Sequence, residues 1–298
     1  MSGPAENVLT PTRPGLPFVE LLKPHTWFPP MWAFLCGIVS TGIDTAGHWA
    51  TIAAGVMLAG PLVCGTSQIV NDWYDRDVDA INQPGRPIPS GRVPGRRALH
   101  FGIAWTLLSG AVAAALGPLV FGAGVIGLAL AWAYSAPPVR LKQNGWWGNT
   151  AVALSYEGLP WVTAAIVMLG TLPPAEVLWL AFWYSFGCHG IMTLNDFKSV
   201  AGDRRTGVRS LPVQLGVPAA AWVACAFMLV AQLAVIVLLA AWGRPLHAAA
   251  IAGLTILQFS MMVRMLGRPA ELDFWYNTKG VPLYVAGMLV SAFAIRGA

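Results

Sequence analysis

The sequence predicts an all-α, polytopic membrane protein, and three observations carry that prediction. Of its 298 residues, 56% are apolar and only 10% are charged, with a mean hydropathy of +0.60. A large soluble core does not account for so little charge. The apolar residues gather into nine stretches, each of roughly 17 to 25 residues and long enough to cross a hydrocarbon core about 30 Å thick. The basic residues, finally, fall almost entirely in alternate loops.

Taken in order, residues 1–26 are proline-rich and lack the apolar run of a cleaved signal, so they are expected as a loose cytoplasmic leader. A single domain, 27–298, then carries the apolar stretches 27–46, 49–71, 97–117, 119–135, 149–170, 175–195, 218–242, 246–264 and 280–296. Trp and Tyr within 27–32, 146–147, 179–184 and 274–276 lie near helix ends, where amphipathic rings anchor at the membrane surface. Between the second and third stretches, the turn-rich run Gln83 to Gly91 argues for an ordered lid. Between the fourth and fifth, the Tyr134 to Pro138 turn precedes Arg140 and Lys142.

Sixteen of the 18 Lys and Arg lie in the N-terminal segment and in loops 2/3, 4/5, 6/7 and 8/9, with only Arg244 and Arg296 opposite. This partition requires an odd number of spans. By the positive-inside rule it predicts nine helices, a cytoplasmic N-terminus and a periplasmic or lumenal C-terminus. The net charge of +5 and pI of about 9.2 are explained by those loops, which would face anionic lipid and an anionic substrate. Nucleic acid is not implied. Cys36, Cys64, Cys188 and Cys225 stand alone in apolar stretches, without metal-ligand spacing, and read as small core residues.

Against this background two acidic runs stand out. Asn71-Asp72-Trp73-Tyr74-Asp75-Arg76-Asp77-Val78-Asp79 and Asn195 to Asp203 hold six of the thirteen acids, each at the end of an apolar stretch and ahead of a long basic loop. At helical spacing Asp72, Asp75 and Asp79 share a face, with Asn71 one turn before Asp75. Asp196, Ser199 and Asp203 are expected to repeat that geometry. Carboxylates so close together, at a helix's negative pole, repel unless a cation binds them. The pattern predicts a Mg²⁺ site built from Asn71, Asp72, Asp75, Asp79, Asp196 and Asp203, the two runs facing each other across a central cavity open to the cytoplasmic side. Arg86, Arg140, Lys142, Lys198, Arg204 and Arg205 would clamp a diphosphate there. Neutralising a departing diphosphate stabilises charge that develops in the transition state, which would ionise an allylic prenyl donor.

The runs NDWYDRDVDAINQPGRPIPSG (71–91), YSAPPVRLKQNGW (134–146), NDFKSVAGDRRTGVRSLP (195–212) and GVPLYVAGMLVSAF (280–293) resemble the UbiA-type intramembrane prenyltransferases. The likeness extends over nearly the whole chain from Lys23 and is to the chlorophyll and bacteriochlorophyll synthase branch. Ser155 to Trp161 and Gly202 to Arg209 are more similar to its bacteriochlorophyll members. Ser199 stands where many of the wider family carry an Asp.

The resemblance implies a nine-helix fold in an inner membrane, cytoplasmic or intracytoplasmic photosynthetic. It also implies Mg²⁺-dependent transfer of a geranylgeranyl or phytyl group from its diphosphate to the propionate of a tetrapyrrole acid. Asp72, Asp75, Asp79, Asp196 and Asp203 would be the catalytic acids. A propionate is already ionised at neutral pH and needs no general base. His189, two turns before Asp196, and Glu157, an acid inside an apolar stretch, are candidate contacts to the tetrapyrrole. A structural role for His189, bonded to a neighbouring helix, is the competing reading. Other acceptors (chlorophyllide, a quinone precursor or haem) and, in a different class, a secondary transporter are the alternatives, although a transporter would place its polar groups near the midplane. The residues do not specify whether photosynthetic-assembly or membrane-insertion proteins bind.

Overall fold

The computed structural model describes residues 16–297, and among these it is helical, with one backbone bridge between Asn144 and Arg209 and no strand. Each predicted apolar stretch contains a helix. In chain order they are α1 (Pro17–Leu22), α2 (Phe28–Thr41), α3 (Trp49–Asn82), α4 (Arg97–Ala115), α5 (Pro118–Ser135) and α6 (Gly145–Leu169). There follow α7 (Ala175–Thr206), α8 (Val217–Ala241), α9 (Pro245–Gly267), α10 (Pro269–Lys279) and α11 (Val281–Ala294). Proline in the first turn starts α5, α8, α9, α10 and α11, where its missing N–H would have had no partner anyway. Gly42 and Gly170, at φ 68° and 71°, end α2 and α6 in the left-handed conformation that a side chain disfavours.

Length separates these helices. Seven, α3 to α9, are long and apolar enough to cross a membrane, whereas α2 and α11 have 14 residues each, about 21 Å at helical rise. The expected ends also move. α3 runs on past residue 71 to Asn82 and α7 past 195 to Thr206, so both acidic runs lie on helical extensions. Residues 17–26, assigned by sequence to a leader, form α1 and a 3₁₀ turn, with Leu21 and Leu22 buried against Ile69, Val93 and Ala98. Residues 1–15 of that leader lie outside the described residues.

The helices form a ring in which α3, α4 and α5 pack together and α6 packs on α7. The series continues through α8, α9 and α11 back to α2. Large apolar side chains on its outside are bare: Leu107 on α4, Trp222 and Val237 on α8 and Ile256 on α9 are each at least 65% exposed. Such a surface is stable only where lipid replaces water. Inside, α7 is the most enclosed spanning helix, and glycine lets its neighbours approach. A Cβ on Gly190 would meet the Ala224 backbone of α8, and one on Gly187 would meet the Tyr284 ring of α11. A buried polar chain ties α8, α9 and α10 together. Gln232 donates to Gln258 at 2.5 Å, Thr255 donates to Gln232 at 2.7 Å, and Gln258 donates to the Tyr276 hydroxyl at 2.7 Å. With water excluded, such bonds are satisfied within the protein or not at all.

Contacts between loops group them by side. Glu20 of α1 bonds Arg92 of loop 2/3, Asp75 bonds Lys142 of loop 4/5, and the Gly145 N–H donates to the Arg209 carbonyl of loop 6/7. At the other end, Gly42 packs against the backbone of Gly297.

Candidate active site

The first acidic run is helical, and its side chains divide around α3. Asp72 and Asp79 are seven residues apart and separated by only about 20° around the helix, so one guanidinium can reach both. Arg86 does this, at 3.1 Å from Asp72 and 2.6 Å from Asp79, while Gln83 Oε1 holds its Nε at 2.7 Å. Lys23 Nζ also reaches Asp72, at 2.6 Å. Asp75 points towards loop 4/5: Lys142 Nζ stands 2.5 Å from both its oxygens and Arg140 at 3.3 Å, while the Asn71 amide donates to it at 3.1 Å. Sequence spacing placed all three acids on one face. In the structure that face is about 60° wide and serves two separate cation sets.

Three carboxylates thus meet four side-chain cations. The expected repulsion is offset by the protein itself, and among the described residues no three His, Cys, Asp or Glu converge as a metal cluster. Lys23, which was not among the predicted site residues, is the missed member. Two of the four cations share a backbone peculiarity. Lys23 and Arg140, at φ 45° and 40°, are the non-glycine residues with positive φ among those described. For an ordinary side chain this conformation costs roughly 1–2 kcal/mol, and such strain concentrates where a side chain must be aimed. Burial pushes the Lys142 ammonium below its usual value, while Asp75 pulls it back up.

The second run differs from the first in helix type: Asp196–Ser199 is a 3₁₀ turn, in which residues three apart eclipse, and only Val200–Thr206 is α-helical. Asp196 accepts from Asn149 Nδ2 at 3.1 Å. Asp203 accepts from Ser199 at 2.8 Å and Ser210 at 2.7 Å, which ties it to its own loop. Arg204 and Arg205 are exposed and make no ion pair among the described residues, and Asp77 pairs with Arg76 on the surface.

A cavity of about 480 Å³ lies between α3, α5, α6 and α7. Asn71 from the first run and Asp196, Lys198 and Ser199 from the second line it together, with Asn149 and Tyr134 between them. Its remaining wall is largely apolar, including Val63, Leu130, Ala131 and Val152. Cys64 also lines it, as one of four buried free thiols. Both helices that bend around this space carry a π-turn. Leu58–Cys64 in α3 surrounds Pro61, which has no N–H to donate, and Leu154–Gly158 in α6 precedes Pro160. Asp72 instead lines a second, open cavity of about 540 Å³ shared with Lys23, Arg86 and Arg92.

Neither tetrapyrrole candidate reaches the polar end of the main cavity. His189 is buried between Phe227 and Trp146, with ring centroids 4.4 and 5.8 Å away, and bonds Thr150 through Nδ1 at 3.2 Å. It lines neither the main cavity nor the one around Glu157. Glu157 is 4% exposed, within the α6 π-turn.

Residues 23–275 match the model of the UbiA prenyltransferase family. The chain is 55% identical over 279 residues to the bacteriochlorophyll synthase 33 kDa chain of Cereibacter sphaeroides, spanning 94% of this chain and 92% of that one. It is 40% identical to the chloroplastic chlorophyll synthase of Oryza sativa, over 93% of this chain and 76% of that protein. The fold superposes on a UbiA homolog from Archaeoglobus fulgidus, described as bound to GPP and Mg²⁺, with a TM-score of 0.72 at 20% identity. That match covers 94% of this chain and 99% of the other. The chain therefore belongs to the UbiA prenyltransferase family and is a membrane prenyltransferase.

Proposed function

We propose that the protein transfers a geranylgeranyl or phytyl group from its diphosphate to the propionate of bacteriochlorophyllide, releasing diphosphate. One observation carries this reading: Asn71 of the first run and Asp196, Lys198 and Ser199 of the second line a single cavity that also has an apolar wall of Val63, Leu130, Ala131 and Val152. A diphosphate fits the polar residues and a prenyl chain the apolar wall. The identity to bacteriochlorophyll synthases, higher than to chlorophyll synthases, favours bacteriochlorophyllide over chlorophyllide.

The donor set fits Mg²⁺. The proposed ligands are hard oxygens: the Asn71 amide and the Asp196 carboxylate line the cavity, Asp75 is bonded to Asn71 beside it, and the carboxylates of Asp72, Asp79 and Asp203 lie outside its lining. Too few converge to enclose an ion, which suits a metal that keeps waters and shares phosphate oxygens. When bound, Mg²⁺ neutralises charge on the diphosphate as the allylic C–O bond breaks. The side chains provide the matching exchange. Arg140 and Lys142 rest on Asp75, beside the cavity-lining Asn71, in the free protein and turn to phosphate oxygens when substrate enters. The Asp75 carboxylate is then free for the ion that accompanies the substrate, so no buried charge is left unpaired. Lys198 lines the cavity from the second run. The acceptor propionate, already ionised, attacks the allylic carbon without a base.

Nine spans, including the short α2 and α11, place the acidic runs on the cytoplasmic side, with the N-terminus cytoplasmic and the C-terminus across an inner or intracytoplasmic membrane. The basic loops carry this orientation. Membranes containing the protein, given Mg²⁺, geranylgeranyl diphosphate and bacteriochlorophyllide, are expected to yield an ester identified by its mass. Chelation and Asp75→Asn should each abolish it. No ester with bacteriochlorophyllide, or an ester with chlorophyllide alone, would overturn the acceptor assignment.

A further inference from the structure

A third cavity, of about 350 Å³, lies between α2, α6, α7 and α11. It borders the main cavity through Tyr156 and Met192, which line both. Its walls are apolar, Trp32, Ile191, Val281 and Val285 among them, with Asn277 at one side and one carboxyl, that of Glu157. Glu157 is 96% removed from solvent, and its Oε2 has no hydrogen-bond partner. The Cys188 thiol is its polar neighbour. No Lys, Arg or His is among the residues lining this space.

A carboxyl held without a counter-charge in an apolar wall is carried as the neutral acid, since an isolated buried carboxylate is far costlier. A neutral acid has one O–H to donate as well as an oxygen to accept. The π-turn at Leu154–Gly158 re-aims this stretch of α6, a distortion that recurs at functional sites. A prenyl tail does not explain the arrangement. It offers no polar atom to the free Glu157 oxygen, and the apolar wall of the main cavity already accommodates a chain. The tetrapyrrole acid of the proposed reaction does explain it, because a flat, mostly apolar macrocycle carries ketone and acyl oxygens on its rim.

We propose that the Glu157 cavity is the acceptor-recognition site, in which the Glu157 carboxyl donates a hydrogen bond to a carbonyl oxygen on one edge of the macrocycle. The propionate arm then extends past Tyr156 and Met192 into the main cavity, towards the allylic carbon. Glu157 is a specificity and positioning residue in this arrangement; it touches no reacting bond. The inference rests on the acceptor reading above and deepens it.

The test measures KM for acceptor and donor separately in Glu157→Leu and Glu157→Gln, with bacteriochlorophyllide and with the same pigment after borohydride reduction of its carbonyls. In wild type the reduced acceptor should have a KM higher by on the order of tenfold. Glu157→Leu should raise the KM of the unreduced acceptor by a similar factor, remove discrimination between the two acceptors, and leave the prenyl diphosphate KM unchanged. Glu157→Gln, whose amide still donates, should retain most of the discrimination. Val285→Phe, which fills the cavity without removing the carboxyl, should raise the acceptor KM alone and serves if Glu157→Leu fails to insert. A rise in the donor KM with the acceptor KM unchanged would assign the cavity to the prenyl tail and overturn the inference, as would unchanged discrimination in Glu157→Leu. If wild type esterifies no tetrapyrrole acid, the functional reading itself has failed, an outcome visible before any variant is compared.

Discussion

Lys142→Met is the most decisive single change at the site. The ammonium stands 2.5 Å from both Asp75 oxygens and is 10% exposed, so water dilutes the interaction little. If Lys142 is transferred from Asp75 to the departing diphosphate, the substitution removes one charge-assisted donor from the transition state. Losing a comparable preorganised donor costs about 2.7–4 kcal/mol, roughly 10²–10³ in rate. The folded state should lose less, about 1–3 kcal/mol, because Arg140 at 3.3 Å and Asn71 at 3.1 Å still hold Asp75. Steady-state prenyl transfer in detergent, with thermal unfolding followed in parallel, reads both quantities. Transfer within threefold of wild type in Lys142→Met would refute the exchange of cations between carboxylate and diphosphate.

Gly190→Ala should drive a methyl into the Ala224 backbone of α8 and destabilise the protein by about 1–3 kcal/mol, seen as a lower unfolding midpoint in detergent; an unchanged midpoint would mean α7 and α8 are not locked at this crossing. Gln258→Leu leaves the Gln232 amide and the Tyr276 hydroxyl without their buried partner and should cost about 1–3 kcal/mol by the same measurement, with unchanged acceptor KM. The hydrogen bond from Arg92 holds the Glu20 carboxyl below its usual value, against a smaller opposing effect of burial. Its contribution is therefore complete above the unfolded-state value near 4.5 and is lost as pH falls through the lower folded value. With both side chains about one-third exposed, it amounts to roughly 0.2–1 kcal/mol. Arg92→Gln should reproduce the loss at neutral pH and flatten the acid dependence of α1 protection in hydrogen exchange.

The reach of the primary structure differs from element to element. Helix positions followed from runs of apolar residues, because a bilayer leaves a chain no other way to satisfy its backbone over such a length. Asn71 and Asp196 were legible as a facing pair because each run ends an apolar stretch on the same side. Lys23 was not, since a lone lysine in a proline-rich segment gives no sign that its side chain will meet Asp72, 49 positions away. Arg204 and Arg205 carried the right charge in the right loop, yet the turn that follows Asp196 leaves them exposed. Asp203 was expected on one face with Asp196, and the 3₁₀ turn between them, which the spacing does not announce, comes with Asp203 bonded to Ser199 and Ser210 and Asp196 to Asn149.

Composition and the spacing of apolar and basic residues thus determined by themselves that this is a helical membrane protein with its acids gathered on the side of its basic loops. These are properties of transfer between water and lipid, and they are additive along the chain. Only the tertiary structure decided which cation neutralises which carboxylate, that Asp72 and Asp75 answer to different cations, and that Glu157 keeps a free oxygen in an apolar cavity. Such outcomes depend on angles around a helix and on side chains arriving from distant segments, and a linear pattern carries neither.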